Sequence, residues 1–155
     1  MPEELFASES LLTPEDLLRG FREAARSGRS VLVVDDDPGV CRLIQRTLAR
    51  RLPDVRVRCV TRGADALAAV GEEWPDAVLL DVYVPDVHGQ VIASFLRRSA
   101  TAEHPLHLIA MSGVRPEETE AKALAWAPDA FLEKPLDLDA MTRVVRRALA
   151  RDGTE

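Results

Sequence analysis

Asp35, Asp36 and Asp37 stand together directly after the apolar run Val31–Val34, and Asp81 stands directly after Ala77–Leu80. A third apolar run, Leu106 to Met111, releases into Ser112-Gly113, and a fourth, Ala130-Phe131-Leu132, leads into Lys134-Pro135. Carboxylates, a hydroxyl and an ammonium at four such exits can together bind a metal and a phosphoryl group. Singly, each has an ordinary explanation: Asp favours helix N-caps, Ser favours turns and Lys favours solvent. The lysine is harder to explain that way. Of the 20 basic residues all but Lys122 and Lys134 are arginine, so a compact point charge replaces a planar fork at this position. Gathered carboxylates repel one another and raise their pKa values unless a cation sits among them. Hard oxygen ligands, few in number and with room for water, suit Mg²⁺. The composite is the chemistry of phosphoryl transfer.

The elements that must gather these residues are legible from residue 30 onward, where apolar runs alternate with amphipathic stretches in the pattern of a βα repeat. Val31–Val34, Ala77–Leu80 and Leu106–Met111 are nearly continuous apolar segments, as expected of central strands covered on both faces. Val55-Arg56-Val57-Arg58-Cys59 alternates with period two, which predicts an edge strand with one face in water. Ala130-Phe131-Leu132 is the expected opposite edge. Val40, Leu43, Ile44, Thr47 and Leu48 follow helical spacing, with Pro38 suited to the first turn. Further stripes at Gly63–Val70, at Ile92, Phe95 and Leu96, at Ala121, Leu124 and Ala125, and at Leu138, Met141, Val145, Ala148 and Leu149 complete five helices. The expected fold is α/β, a doubly wound five-stranded parallel sheet of flavodoxin-like order 2-1-3-4-5. In such sheets ligands bind outside the carboxyl ends at the switch point, which here falls between Asp36 and Asp81.

Residues 1–29 form an extension outside the repeat. Thr13-Pro14-Glu15-Asp16 is a capped helix start, and Leu17, Leu18, Phe21, Ala24 and Ala25 form an apolar face closed by Gly28. This predicts an extra N-terminal helix over about 13–28, ahead of a domain over 30–151 and a tail at 152–155. At 155 residues with 46% hydrophobic and 30% charged residues, one globular domain is expected. Neither a membrane span nor a basic signal-peptide start is evident, which points to the cytoplasm. The net charge of -6 argues against direct nucleic-acid binding. Cys41 and Cys59, in helical and strand patterns respectively, are expected to be reduced packing residues.

VLVVDDDP, LLDVYVPDVHG, MSG and FLEKP resemble, in order and with compatible gaps, the four signatures of response-regulator receivers of two-component systems, across roughly residues 30–151. The resemblance implies Asp81 as phosphoacceptor and Asp35, Asp36, Asp81 and the Tyr83 backbone carbonyl as Mg²⁺ ligands. It makes Ser112 the switch hydroxyl, Phe131 the aromatic switch and Lys134 the phosphate-binding lysine, with Pro135 a candidate cis-proline. The expected phosphodonor is a sensor histidine kinase or histidine phosphotransfer protein. The expected output to a downstream protein runs through the face of the fourth helix, fifth strand and fifth helix. Arg143, Arg147 and Arg151 on the last helix, against Glu117, Glu118 and Glu120 on the fourth, allow a charge-paired homodimer. The chain is expected to stand alone without a C-terminal output domain, catalysing only its own phosphorylation and dephosphorylation.

Some positions depart from the family pattern. His88 stands where Asp is usual, Ala127-Pro128 replaces Gly-Ala, and Tyr83 and Val114 border the path of attacking water without being able to orient it. A long-lived phosphoryl state is expected. The rivals are a phosphatase of the haloacid-dehalogenase kind, using Asp35-Asp36-Asp37 as D-x-D, and a phosphorylation-independent adaptor of receiver shape.

Overall fold

A computed structural model of the chain describes residues 13–15, 28–113 and 127–150. The order is β1 (Ser30–Val34), α1 (Pro38–Arg51), β2 (Arg56–Val60), α2 (Gly63–Glu72), β3 (Ala77–Asp81), α3 (Gly89–Ser99), β4 (Leu108–Ser112), β5 (Ala130–Glu133) and α4 (Leu138–Ala150). The strands form one sheet of order β2-β1-β3-β4-β5, and every pairing is parallel. This is the doubly wound order expected from the repeat. All five residues of β1, β3 and β4 are buried, because helices cover both faces of the middle of the sheet.

Side-chain alternation along the strands divides the core in two. Val31, Val33, Leu79, Ile109 and Met111 point toward α1 and α4 and pack on Ile44, Leu48, Met141 and Val145. Leu32, Val34, Val78, Leu80 and Leu108 point the other way, onto Ala66, Ala69, Ile92 and Leu96 of α2 and α3. Side chains of this size stabilise the fold by about 1.5–3 kcal/mol each when fully buried.

Several details differ from the sequence expectation. In α1 the buried stripe is Cys41, Ile44, Thr47 and Leu48, while Leu43 is 43% exposed. In α3, Ala93 joins Ile92 and Leu96 inside, and Phe95 is 37% exposed. In both helices the sheet accepts a narrower arc than the apolar residues span. The β2 edge has no face left wholly to water: Arg56 and Arg58 lie over α2, with Arg56 Nη2 2.9 Å from Glu73 Oε2 and Arg58 Nη1 2.7 Å from Glu72 Oε2. β4 begins at Leu108, although Leu106 and His107 before it are already buried and the His107 carbonyl accepts the Val78 N–H at 2.9 Å. The expected helix around Ala121–Ala125, Val114, and Glu117, Glu118 and Glu120 lie outside the described residues, as do Arg151 and the tail. Of the expected N-terminal helix over about 13–28, Thr13, Pro14, Glu15 and Gly28 are described; Pro14 and Glu15 are helical, Thr13 and Gly28 are not.

Candidate functional site

The carboxyl ends of β1 and β3 are neighbours in the sheet, and α1 and α3, which follow them, pack on opposite faces, so a crevice opens above them. Asp35 sits at the end of β1 with 0% exposure and Asp81 ends β3 with 5%. Asp36, between them in the chain turn, is exposed. One oxygen from each of these three carboxylates lies within 4.8 Å of the others. Asp37 is spent elsewhere: its carboxylate accepts the Gly39 N–H at 2.8 Å and caps α1, with Pro38 in the first turn. That removes the second acid of a D-x-D nucleophile pair from the crevice.

Each acid is held by local backbone. Asp35 Oδ1 accepts the Asp37 N–H at 2.9 Å, and Asp81 Oδ1 accepts the Tyr83 N–H at 3.0 Å. Their other oxygens face Lys134, whose Nζ lies 2.5 Å from Asp35 Oδ2 and 3.0 Å from Asp81 Oδ2. The pairing with β4 brings Lys134 there, since its N–H donates to the Ser112 carbonyl at 2.8 Å. Gly113 leaves the necessary room: a Cβ at that position would lie 3.0 Å from Lys134 Cβ. Ser112 is buried at the same rim, and Phe131, on β5 next to Lys134's strand end, packs half-buried on the α2–α3 side of the core. The Lys134–Pro135 peptide bond is cis. Tyr83 follows Asp81 with its ring 37% exposed.

The electrostatics favour a further cation. At an effective dielectric of roughly 20, two unit charges 4.8 Å apart repel by about 3.5 kcal/mol. Three carboxylates and one ammonium leave a local charge of two negatives. Burial pushes the Asp81 carboxyl above the usual carboxylate range, and Asp35 adds to the push, against the Tyr83 N–H and Lys134. Burial alone would lower the Lys134 ammonium, but the two carboxylates outweigh it and hold its pKa up. Asp35 Oδ2 is fully buried against the Lys134 ammonium, 2.5 Å away. Three carboxylates around one ammonium, hard oxygen donors with an excess of negative charge, fit Mg²⁺.

A family model described as the response regulator receiver domain matches residues 31–146. The chain belongs to this family. It is 32% identical over 122 residues to the transcriptional regulatory protein KdpE of Mycobacterium tuberculosis (strain ATCC 25618 / H37Rv), covering 79% of this chain and 51% of that one. It is 30% identical over 119 residues to the regulatory protein AtoC of Escherichia coli (strain K12), covering 77% of this chain and 25% of the relative. The receiver thus spans about half the length of one relative and a quarter of the other. Among solved structures, the receiver domain of NtrX from Brucella abortus superposes with a TM-score of 0.68 at 27% identity, covering 78% of this chain and 98% of that one. As a response-regulator receiver, the chain is a two-component signalling domain, and receivers of this family are phosphorylated by histidine kinases.

Two features escaped the sequence reading. Asp86, in the β3–α3 loop, accepts the Gly63 N–H at 2.7 Å and the Ala64 N–H at 3.1 Å, and so caps α2 from another loop. These donors hold its carboxyl below the usual range. The available clue was Arg62, which precedes α2 and makes no side-chain cap hydrogen bond of its own. The second is Gly113, whose missing side chain admits Lys134. His88 precedes α3 without capping it and is exposed, and His104 is exposed as well; neither belongs to the acidic cluster. His107 is buried ahead of β4. Cys41 and Cys59 are free thiols, both pushed up by burial, as suits packing residues. None of the helices in the described residues is long and apolar enough to cross a membrane.

Proposed function

We propose that Asp81 accepts a phosphoryl group from a sensor histidine kinase or a histidine phosphotransfer protein in the cytoplasm. The observation that carries this reading is Lys134 Nζ, 3.0 Å from Asp81 Oδ2 and 2.5 Å from Asp35 Oδ2, in a crevice with three carboxylates gathered within 4.8 Å. Asp35, Asp36, Asp81 and the Tyr83 carbonyl would hold Mg²⁺, which supplies positive charge against the phosphoryl oxygens. Asp81 Oδ attacks phosphorus in line as the donor's bond to it breaks, and the donor leaves with that electron pair. Asp35 keeps Lys134 aimed at the incoming group, and Lys134 pairs with a phosphoryl oxygen. Ser112 then turns to hydrogen-bond the phosphate and Phe131 fills the space behind it, changing the face that carries β5 and α4 for a downstream protein. No other substrate is turned over; the domain catalyses only its own phosphorylation and dephosphorylation.

Tyr83 and Val114 offer poor orientation to an attacking water, so the aspartyl phosphate is long-lived. Loss of radiolabelled phosphate from the purified protein within seconds would contradict that. The main test is incubation with Mg²⁺ and a small acyl phosphate, followed by intact mass measurement. Wild type gains one phosphoryl mass and Asp81→Asn gains none. An unmodified wild type overturns the reading, and rapid turnover of assorted phosphate esters points to a phosphatase instead.

A further inference from the structure

The helix layer formed by α1 and α4 carries a strong charge of one sign. Arg42, Arg46 and Arg50 on α1 and Arg143, Arg146 and Arg147 on α4 are all exposed. Among the described residues none of the six has an ion-pair partner. α1 contains no acidic residue, and the one acid of α4, Asp139, is held by Arg51 at 2.7 Å. Like charges spaced four apart on a helix destabilise it, so α1 carries a cost that an acidic occupant would remove. Between Arg42 and Arg46 lies Leu43, 43% exposed. Leu43 within the guanidinium groups offers an apolar contact and several cationic ones side by side, the combination that an acidic segment with apolar residues can use.

The chain carries a complement to this patch. Its first 18 residues contain Glu3, Glu4 and Glu9 among five acids and no Lys or Arg, with Leu5, Phe6, Leu11 and Leu12 interspersed. The path back into the domain also leads to the right place. The Gly28 carbonyl accepts from Arg56 Nη1 at 3.0 Å, and Gly28 lies against the backbone of Asp54, just past the Leu52 cap that ends α1. Residues 13–27 span at most about 50 Å when extended and roughly 22 Å as the expected helix, against roughly 21 Å for the length of α1. Either way the covalent link keeps the segment within reach of the helix, so a weak contact suffices.

We propose that residues 3–12 dock in cis on the arginine face of α1 and α4, with their glutamates on Arg42, Arg46 and Arg50 and an apolar side chain over Leu43. The inference stands apart from the phosphoryl chemistry of the crevice. It can be tested in the full chain by placing the photo-reactive amino acid p-benzoylphenylalanine at Phe6, irradiating, and mapping cross-linked peptides by mass spectrometry. Cross-links at monomer mass into Pro38–Arg51 or Leu138–Ala150 are expected. Their yield should fall about tenfold as salt rises from about 0.01 to about 1 M, because the screening length shrinks from about 30 to about 3 Å. Combined Arg42→Glu, Arg46→Glu and Arg50→Glu should abolish the cross-links, and adding Glu3→Arg, Glu4→Arg and Glu9→Arg should restore them. Circular dichroism checks that these exposed changes leave the fold intact. Cross-links into α2 or α3, cross-links found only at dimer mass, or a yield indifferent to both salt and the reversal would overturn the proposal.

Discussion

Asp81→Asn is expected to make the metal-free receiver more stable, although it removes the proposed phosphoacceptor. Asparagine has the same shape and keeps an oxygen for the Tyr83 N–H, now 3.0 Å from Asp81 Oδ1, so the change is one of charge. Removing the negative charge deletes repulsion from Asp35 and Asp36, about 3.5 kcal/mol each at no more than 4.8 Å and an effective dielectric of roughly 20. It also deletes attraction to Lys134, about 5.5 kcal/mol at 3.0 Å in the same dielectric. The balance favours the variant by about 1–2 kcal/mol, and relief from burying a charge acts in the same direction. The raised pKa of Asp81 has the same sign. The folded state holds this proton more tightly than the unfolded chain, so wild-type stability falls as pH rises from the ordinary carboxylate range through the raised value. The variant's advantage is therefore absent below about pH 4 and complete only above the raised value. Urea unfolding in a chelator, followed by circular dichroism, measures it. Mg²⁺ should then invert the order: wild type gains about 2.7 kcal/mol at a hundredfold excess over its dissociation constant, while the variant needs more metal for the same gain. An asparagine variant less stable than wild type in chelator, or one that responds equally to Mg²⁺, would refute the reasoning.

Gly63→Ala should cost about 1–3 kcal/mol in the same assay, because the new Cβ would lie 2.6 Å from Val87 Cβ and force the β3–α3 loop away. Asp86→Ala should fray the start of α2 by removing acceptors from the Gly63 and Ala64 N–H groups. Since the Asp86 pKa is depressed, its contribution is present above the ordinary carboxylate range and is lost as pH falls through the depressed value; amide exchange at Gly63 and Ala64 reads both effects, and unchanged protection would count against the cap. Ala127→Gly should stabilise by about 0.5–1 kcal/mol, since Ala127 holds a φ of 50°, and a lower midpoint in urea would show that the left-handed backbone carries no strain.

The parallel order and the placement of the acidic crevice were readable because they depend on coarse periodicity. A strand buried on both faces must be almost wholly apolar, so the abrupt arrival of Asp35 and Asp81 marks its end as clearly as it marks a site. Lys134 was conspicuous because it broke the chain's use of arginine. Finer points depended on contacts between elements far apart in sequence. Leu43 and Phe95 share helical spacing with buried neighbours, and only the curvature of the sheet beneath α1 and α3 decides that they fall outside. The pairing of Arg56 with Glu73 turns an alternation that looked solvent-facing into a half-covered edge. Asp86 reaches α2 across 23 residues of chain, a relation that no local capping pattern expresses.

The same crevice shows why the site lies where it does. Asp36, exposed in the turn after β1, can relieve the repulsion by turning toward water, whereas Asp35 and Asp81 are buried and cannot. Asp81 is the terminal residue of β3 and Asp35 follows directly on β1, the residues before them have almost no exposure, and both are pinned further by the Asp37 and Tyr83 N–H groups. Withdrawal would require β1 or β3 to slide, and a one-residue slip in either strand would turn every apolar side chain on it toward the wrong helix layer. The core therefore offsets the electrostatic cost of the acids. It is the depth of burial behind Val33, Val34, Leu79 and Leu80, more than any property of the acids themselves, that keeps Asp35 and Asp81 side by side against their own repulsion.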